Sequence, residues 1–349
     1  MKKLLAMLLV AAMVFSLAAC GGTGDSADSG SDAGSSTEGL EGSDLMIGIL
    51  IPGSPTDGGF SQRAVEAGAH LEEVFGCKVS VVQAATAEEI KQEASNMADD
   101  GYQVVFGHGG QCSSPFAEIC GDYPDVWFGT MGGDCRDTNL FEINMCFEQV
   151  TYVLGAAAAL TSDSGIIAWQ TGGDYASYTK TTNSYEMGAK SVNPDIKVLG
   201  QVLSATDPTV GYETALSQIS EGATCVLSNS NEAQSGAIKA CAEEGIYTAG
   251  CIGDFTDQAP EQVIMNMYCE YAPAYELAVK MIIDGSIKDT DQIDVTPANT
   301  PDALYWEWND TVKASLDADV VAQIESIWED VKAGKIHVPD EFEYAASLK

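Results

Sequence analysis

The feature that most constrains the fold is the alternation of short apolar segments with longer amphipathic segments. Residues 46–51 have the composition of a buried strand and end at Pro52, and residues 61–75 show helical periodicity. This alternation continues to residue 128, begins again after Phe147 and reaches a helix predicted over residues 272–283. Strands and helices at this spacing indicate parallel βαβ units. The sequence therefore predicts an α/β fold with two domains, each built on a doubly wound parallel sheet.

The N-terminus has the pattern of an export signal. Lys2 and Lys3 precede an apolar run over residues 4–17, and Leu17-Ala18-Ala19 precede Cys20. The run is too short for a membrane span and suits a secretory signal. The last four of these residues resemble the bacterial lipobox, which implies a signal peptide over residues 1–19 and a lipid on Cys20. The Gly- and Ser-rich residues 20–44 then form a flexible tether to the outer face of the cell membrane.

Composition excludes several classes of function. The 349 residues carry a formal net charge of −36, which repels phosphate backbones and excludes nucleic acid as a partner. With three histidines and no C-x-x-C among the ten cysteines, no metal site is expected. The nine cysteines after Cys20 are an odd number, so at least one is unpaired. No phosphate-binding loop or dinucleotide motif is present, so no cofactor is expected.

Several candidate ligand contacts lie where predicted strands end, because ligands of parallel sheets bind beyond the carboxyl ends of strands. Asp57 and Phe60 belong to the loop after the first strand, and an aromatic ring there can stack on a heterocycle. As an alternative, Asp57 caps a helix and Phe60 belongs to the core. His108 follows the third strand in a glycine-rich loop. The remaining candidates at predicted strand ends are Trp169, Asn229, Asn231 and Tyr268; for Trp169 the alternative is packing between domains.

A set of short motifs resembles the basic membrane protein family of lipoprotein substrate-binding components of ABC importers. The motifs, in chain order, are Asp57-Gly58-Gly59-Phe60-Ser61, Phe147-Glu148, Leu154-Gly155-Ala156-Ala157-Ala158, Gly188-Ala189-Lys190-Ser191-Val192-Asn193-Pro194-Asp195, Asp207-Pro208 and Gly250-Cys251-Ile252-Gly253-Asp254. The resemblance covers roughly residues 46–290. It implies a fold similar to type I periplasmic binding proteins, with two lobes, a hinge of three crossings and a ligand cleft between the lobes.

The resemblance also implies a division of the chain and a set of partners. Residues 45–147 plus 254–300 are expected to form the N-terminal lobe, and residues 148–253 plus 301–349 the C-terminal lobe. The partners are a purine-like small molecule and an ABC permease, and the protein is expected to be a monomer. Glu148 ends the first crossing, where a capping or hinge role is expected.

One departure from the family motif bears on the ligand. Asp254 matches the second aspartate of a G-x-D-x-D motif, but Ile252 replaces the first, which binds ribose hydroxyls in nucleoside-binding members. A purine base is therefore expected to be preferred over a nucleoside. Two other functions stay open: an exported hydrolase that uses Cys112 or His108, although no G-x-S-x-G motif is present, and a surface sensor lipoprotein on the same fold.

Overall fold

The computed structural model describes residues 41–56, 60–173, 176–288 and 291–340. These described residues all belong to one compact unit. Within it, two six-stranded sheets each carry helices on both faces, and we call each sheet with its helices a lobe.

The first lobe contains an entirely parallel sheet with the strand order β2-β1-β3-β4-β5-β11. Its strands are β1 (Met46–Ile51), β2 (Lys78–Gln83), β3 (Val104–Gly107), β4 (Trp127–Met131), β5 (Leu140–Met145) and β11 (Gln292–Val295). Its helices are α1 (Phe60–Phe75), α2 (Ala87–Asp99), α3 (Ser113–Ile119) and α8 (Tyr271–Ile283).

The second lobe contains a sheet with the strand order β7-β6-β8-β9-β10-β12, in which only the edge strand β12 is antiparallel to its neighbour. Its strands are β6 (Ile166–Thr171), β7 (Lys197–Val202), β8 (Cys225–Asn229), β9 (Tyr247–Cys251), β10 (Val263–Cys269) and β12 (Leu304–Trp308). Its helices are α4 (Phe147–Leu160), α5 (Ala176–Val192), α6 (Pro208–Ser220), α7 (Ala233–Glu244), α9 (Asp310–Ser315) and α10 (Ala318–Lys332).

Local sequence signals explain where several helices begin. In α2, the Thr86 side chain accepts from the Glu89 N–H while the Glu89 carboxylate accepts from the Thr86 N–H, forming a capping box. Asp207 caps α6 in front of Pro208, which occupies the first helical turn without losing a hydrogen bond. These caps fix the starts of helices that follow sheet strands and therefore the lengths of the loops between them.

The chain passes between the lobes three times, between β5 and α4, between β10 and α8, and between β11 and β12. The expectation that residues 254–300 belong entirely to the first lobe is wrong for β10, which pairs with β9 and β12 in the second sheet. A buried apolar strand suits the interior of either sheet, so its own residues do not specify which sheet it joins.

Three strands, β5, β11 and β12, were not predicted from the sequence. Buried β5 carries the polar residues Glu142 and Asn144, and β11 alternates buried Ile293 and Val295 with more exposed residues over only four positions. Such short or polar segments give little periodic signal.

The largest buried apolar cluster is continuous through both lobes, so the strands at the crossings belong to a shared core.

Candidate functional site

Phe60 and His108 lie side by side at the carboxyl end of the first sheet. His108 follows β3, and its backbone N–H donates to the Leu50 carbonyl of β1 at 2.8 Å. The Phe60 and His108 rings stack with their centroids 3.8 Å apart and their planes inclined by 27°. Phe60 is nevertheless 38% exposed, which is unusual for a large apolar side chain in this molecule. The structure therefore presents an aromatic surface at the place where ligands of parallel sheets bind.

His108 is fully buried beneath Phe60. Its Nε2 lies 2.8 Å from the Phe60 carbonyl oxygen and its Nδ1 lies 2.8 Å from the Tyr275 hydroxyl oxygen. The ring of Tyr271 meets both Phe60 and His108 edge-on, at centroid distances of 5.4 and 4.9 Å. In this structure His108 is buried against the Phe60 ring, and the direct ligand contact expected for it stays a prediction.

Arg63 and Glu270 add charged groups beside this aromatic cluster. Arg63 lies one turn after Phe60 on α1, and its Nη1 is 2.9 Å from Oε2 of Glu270. Glu270 stands at the second crossing, directly before Tyr271. Both side chains are about one third exposed, so the ion pair contributes little to the stability of the fold. The same exposure leaves their polar atoms accessible to a ligand. Neither residue was predicted from the sequence. For Arg63 the one signal was its position three residues after Phe60, which places the two side chains next to each other on a helix.

Asp254 lies exposed after β9 in the second lobe. Its Oδ1 accepts from the Thr256 backbone N–H at 2.9 Å and from Nδ2 of buried Asn266 at 3.0 Å. The Thr256 N–H, together with the Thr256 hydroxyl and Asn266, holds the pKa of the Asp254 carboxyl below its ordinary value. The carboxylate is thus ionised at neutral pH and held in a fixed orientation, ready to accept from an N–H donor.

Two residues at neighbouring strand ends of the second sheet have left-handed backbone conformations. Asn231, after β8, has φ 51°, and Ile252, after β9, has φ 60°. Asparagine tolerates this region, but it is strained for a β-branched residue such as isoleucine. Backbone strain of this kind concentrates at functional sites. The conformations of Asn231 and Ile252 therefore mark this edge of the second lobe as part of the candidate site.

Tyr268 of β10 stacks on Tyr305 of β12, with centroids 4.9 Å apart and planes inclined by 13°. Burial, with the neighbouring Asp254 and Glu307 carboxylates, raises the pKa of Tyr268 to about 12. Its hydroxyl therefore stays protonated and can donate a hydrogen bond. Tyr305 thus packs against the ring of Tyr268 from the edge strand of the second sheet.

The structure does not place Trp169 at a strand end. Trp169 lies inside β6, and its indole covers Gly200 of β7, where a Cβ atom would overlap the ring. This contact gives Trp169 a packing role on the face of the sheet. Asn229, the last residue of β8, is buried and donates to the Thr181 hydroxyl at 3.3 Å. Asp57 and Cys20, two further predicted site residues, lie outside the described residues.

A buried cation connects the lobes at the first crossing. Nζ of Lys180, on α5, donates to Oδ1 of Asn144 at 2.7 Å and to the Met145 carbonyl at 2.8 Å, both at the end of β5. Nζ is also 3.7 Å from Oε2 of Glu148 and 5.4 Å from the centroid of the Phe147 ring. Lys180 was not predicted from the sequence. Its contacts show that Glu148 belongs to a polar network at the crossing.

A cavity of about 360 Å³ lies beside this network and is bordered by the segment that follows α10. Its lining includes Cys146, Glu148, Asp294, Thr296 and His337, and none of the predicted ligand contacts. Among the described residues, no group of three or more His, Cys, Asp and Glu side chains is arranged to hold a metal ion. No helix in the described part of the chain has the length and apolarity needed to cross a bilayer.

Comparison with known families decides the class of this protein. Residues 45–296 match the family model Bmp, described as ABC transporter substrate-binding protein PnrA-like. The chain belongs to the Bmp family. The match contains Phe60, His108 and Asp254, and the expected resemblance to basic membrane proteins is confirmed.

Relatives of this Bmp-family chain carry several names. The purine-binding protein BAB2_0673 of Brucella abortus is 26% identical over 248 residues, which cover 70% of each chain. Basic membrane protein B of Borreliella burgdorferi is 25% identical over 66% of this chain and 72% of its own length. A putative ABC transporter glucose-binding protein of Haloferax volcanii is 22% identical over 65% of this chain and 57% of its own length.

Solved structures confirm the fold of this Bmp-family chain. A solute-binding protein of an ABC transporter system from Conexibacter woesei has a TM-score of 0.64 and 20% identity, covering 85% of this chain and 99% of its own. A transcriptional activator of the comK gene from Bacillus halodurans has a TM-score of 0.70 and 17% identity, covering 84% of this chain and 99% of its own. The expected α/β fold with two parallel-sheet domains is therefore confirmed.

The Bmp family model describes a substrate-binding protein of an ABC transporter, which argues against the hydrolase hypothesis. The geometry agrees. Cys112, a nucleophile under that hypothesis, is buried, and burial raises the pKa of its thiol to about 12. A thiol in this state is not ionised at neutral pH. His108 is committed to Phe60 and Tyr275.

Proposed function

We propose that this protein captures a planar, purine-like heterocycle between its lobes and delivers it to an ABC permease. The observation that carries the proposal is the Phe60 ring, which is stacked on His108 on one side and yet remains 38% exposed at the carboxyl end of the first sheet. A flat π system can stack on this surface, a contact worth about 1–3 kcal/mol per base.

The polar groups around Phe60 suit the edge of such a ring. Asp254 offers an ionised carboxylate to an N–H group, and Arg63 and Glu270 offer a donor and an acceptor beside the aromatic surface. The Brucella relative is named as purine-binding, which supports the same ligand class. The Haloferax relative is named as glucose-binding, so family membership alone does not specify the ligand.

We further propose that a free base binds more tightly than its nucleoside. Ile252 stands where nucleoside-binding members of the family carry a carboxylate, and its strained backbone holds an apolar side chain at this strand end. A ribose hydroxyl buried there without an acceptor would cost about 1–3 kcal/mol. Each such group lowers affinity by about tenfold or more.

Titration calorimetry with adenine, guanine, hypoxanthine and their three nucleosides tests both proposals. We expect at least one base to bind, and to bind at least about tenfold more tightly than its nucleoside. Tighter binding of the nucleosides would overturn the preference for a base. Absence of binding by all six compounds would overturn the purine assignment and leave the family membership intact.

We propose that Cys20 carries a lipid that anchors the protein, as a monomer, on the outer face of the cell membrane. The support is the lipobox-like sequence ending at Cys20, behind a short apolar run. One acyl chain anchors only weakly, so firm retention needs at least two chains. Cys20→Ala should move the protein from the membrane fraction to the soluble fraction, with Cys135→Ala as the matched control. Equal retention of both variants would contradict the lipid anchor.

A further inference from the structure

The aromatic cluster at the candidate site contains a buried histidine, His108, whose role is not explained by direct contact with a ligand. His108 is fully buried, and each of its two ring nitrogens has a hydrogen-bond partner at 2.8 Å. Those partners come from two helices of the first lobe, the Phe60 carbonyl from α1 and the Tyr275 hydroxyl from α8. His108 therefore connects β3 to both helices at the point where Phe60 is presented.

The chemistry of these partners selects one tautomer for a neutral His108. A carbonyl oxygen can only accept a hydrogen bond, so Nε2 carries a proton and donates to Phe60. In the neutral imidazole Nδ1 is then an acceptor, and the Tyr275 hydroxyl donates to it. Burial raises the pKa of the Tyr275 phenol well above its ordinary value, which keeps this donor protonated.

We infer that His108 is a positioning residue that fixes the Phe60 ring for stacking against a planar ligand. It acts in two ways, through the hydrogen bond to the Phe60 carbonyl and through the ring contact at 3.8 Å. Together these hold the backbone and the ring of the first residue of α1. Because His108 covers one side of the ring, a ligand stacks only on the remaining exposed surface. This inference rests on the proposed function for the identity of the ligand.

The first test needs no ligand. The chain has three histidines, so nitrogen NMR of protein labelled with ¹⁵N-histidine can be assigned with single variants of His70 and His337. We expect His108 to be neutral, with the proton on Nε2. Tyr275→Phe removes only the hydroxyl and should shift the Nδ1 resonance of His108. A proton on Nδ1, or a charged His108 at neutral pH, would overturn the inference.

The second test uses the purine that binds most tightly in calorimetry. His108→Phe keeps an aromatic ring but loses the hydrogen bond to Phe60, and we expect affinity to fall about tenfold. Because His108 is buried, Tyr275→Phe serves as the milder variant, for which we expect a smaller loss. His70→Phe is the control. His70 lies on α1 and hydrogen-bonds to Glu276 rather than to Phe60, so this variant should bind the purine as tightly as the wild type does.

A double variant separates positioning from a general effect on the fold. In the Phe60→Ala background, His108→Phe should cause no additional loss of affinity, because no ring remains to be positioned. Full additivity of the two losses, or wild-type affinity of His108→Phe, would overturn the inference. If none of the six purines binds, the proposed function fails, while the NMR experiment still decides the state of His108.

Discussion

At the level of single residues, binding is predicted to depend on the exposed surface of Phe60. Phe60→Ala removes the stacking surface, and we expect affinity for the bound heterocycle to fall by about 1–3 kcal/mol in calorimetry. Val74→Ala is the matched control, because Val74 is also on α1 and is 44% exposed. It should leave both affinity and thermal stability close to wild type. Equal affinities of the two variants would contradict a ligand contact at Phe60.

At the level of secondary-structure elements, the second lobe depends on a close crossing of α4 and α5. A Cβ atom on Gly155 would overlap the Tyr185 carbonyl, and one on Gly188 would overlap the Tyr152 carbonyl. The two helix backbones therefore touch at a pair of glycines. Since a backbone carbonyl cannot rotate away as a side chain can, a methyl group at either position must separate the helices.

Gly155→Ala should therefore lower the free energy of unfolding by about 1–3 kcal/mol, the usual cost of overpacking. The measurement is the midpoint of urea unfolding. Gly121→Ala provides the control, because a Cβ at Gly121 meets no atom within 4 Å. Replacement there should leave stability unchanged or raise it slightly, because alanine restricts the unfolded chain. Equal midpoints for both variants would contradict the prediction, because they would show that α4 and α5 can move apart without loss of stability.

At the level of the whole molecule, ligand binding is predicted to close the lobes about the three crossings. A ligand that contacts both lobes binds the closed form better and shifts the population towards it. Phe60 and Arg63 belong to the first lobe, and Asp254 and Tyr268 to the second, so a ligand held by residues of both sets would join the two lobes. The Lys180 network at the first crossing includes none of these four residues.

Small-angle scattering measures this closure. The radius of gyration should decrease when the tightest-binding purine is added at saturation. Asp254→Asn removes the charge on the second-lobe side and should require more ligand for the same decrease. An unchanged radius, with binding confirmed by calorimetry, would remove the hinge mechanism while leaving the binding site in place.

The sequence by itself determined most of the order of strands and helices up to α8, the α/β class and the family. These features are encoded locally, in the periodicity of short segments and in short sequence motifs such as the one that contains Phe60. The sequence also pointed to Asp254 and to the apolar replacement at Ile252, because both lie within a recognisable short motif.

Only the tertiary structure decided which groups meet. Arg63 pairs with Glu270 across 207 positions, and His108 meets Tyr275 across 167 positions. The sheet that β10 joins, the burial of His108 beneath Phe60 and the place of Lys180 between the lobes depend on the same kind of contact. Local periodicity reports which side of an element is buried, but the neighbour that buries it is set by packing of the whole chain.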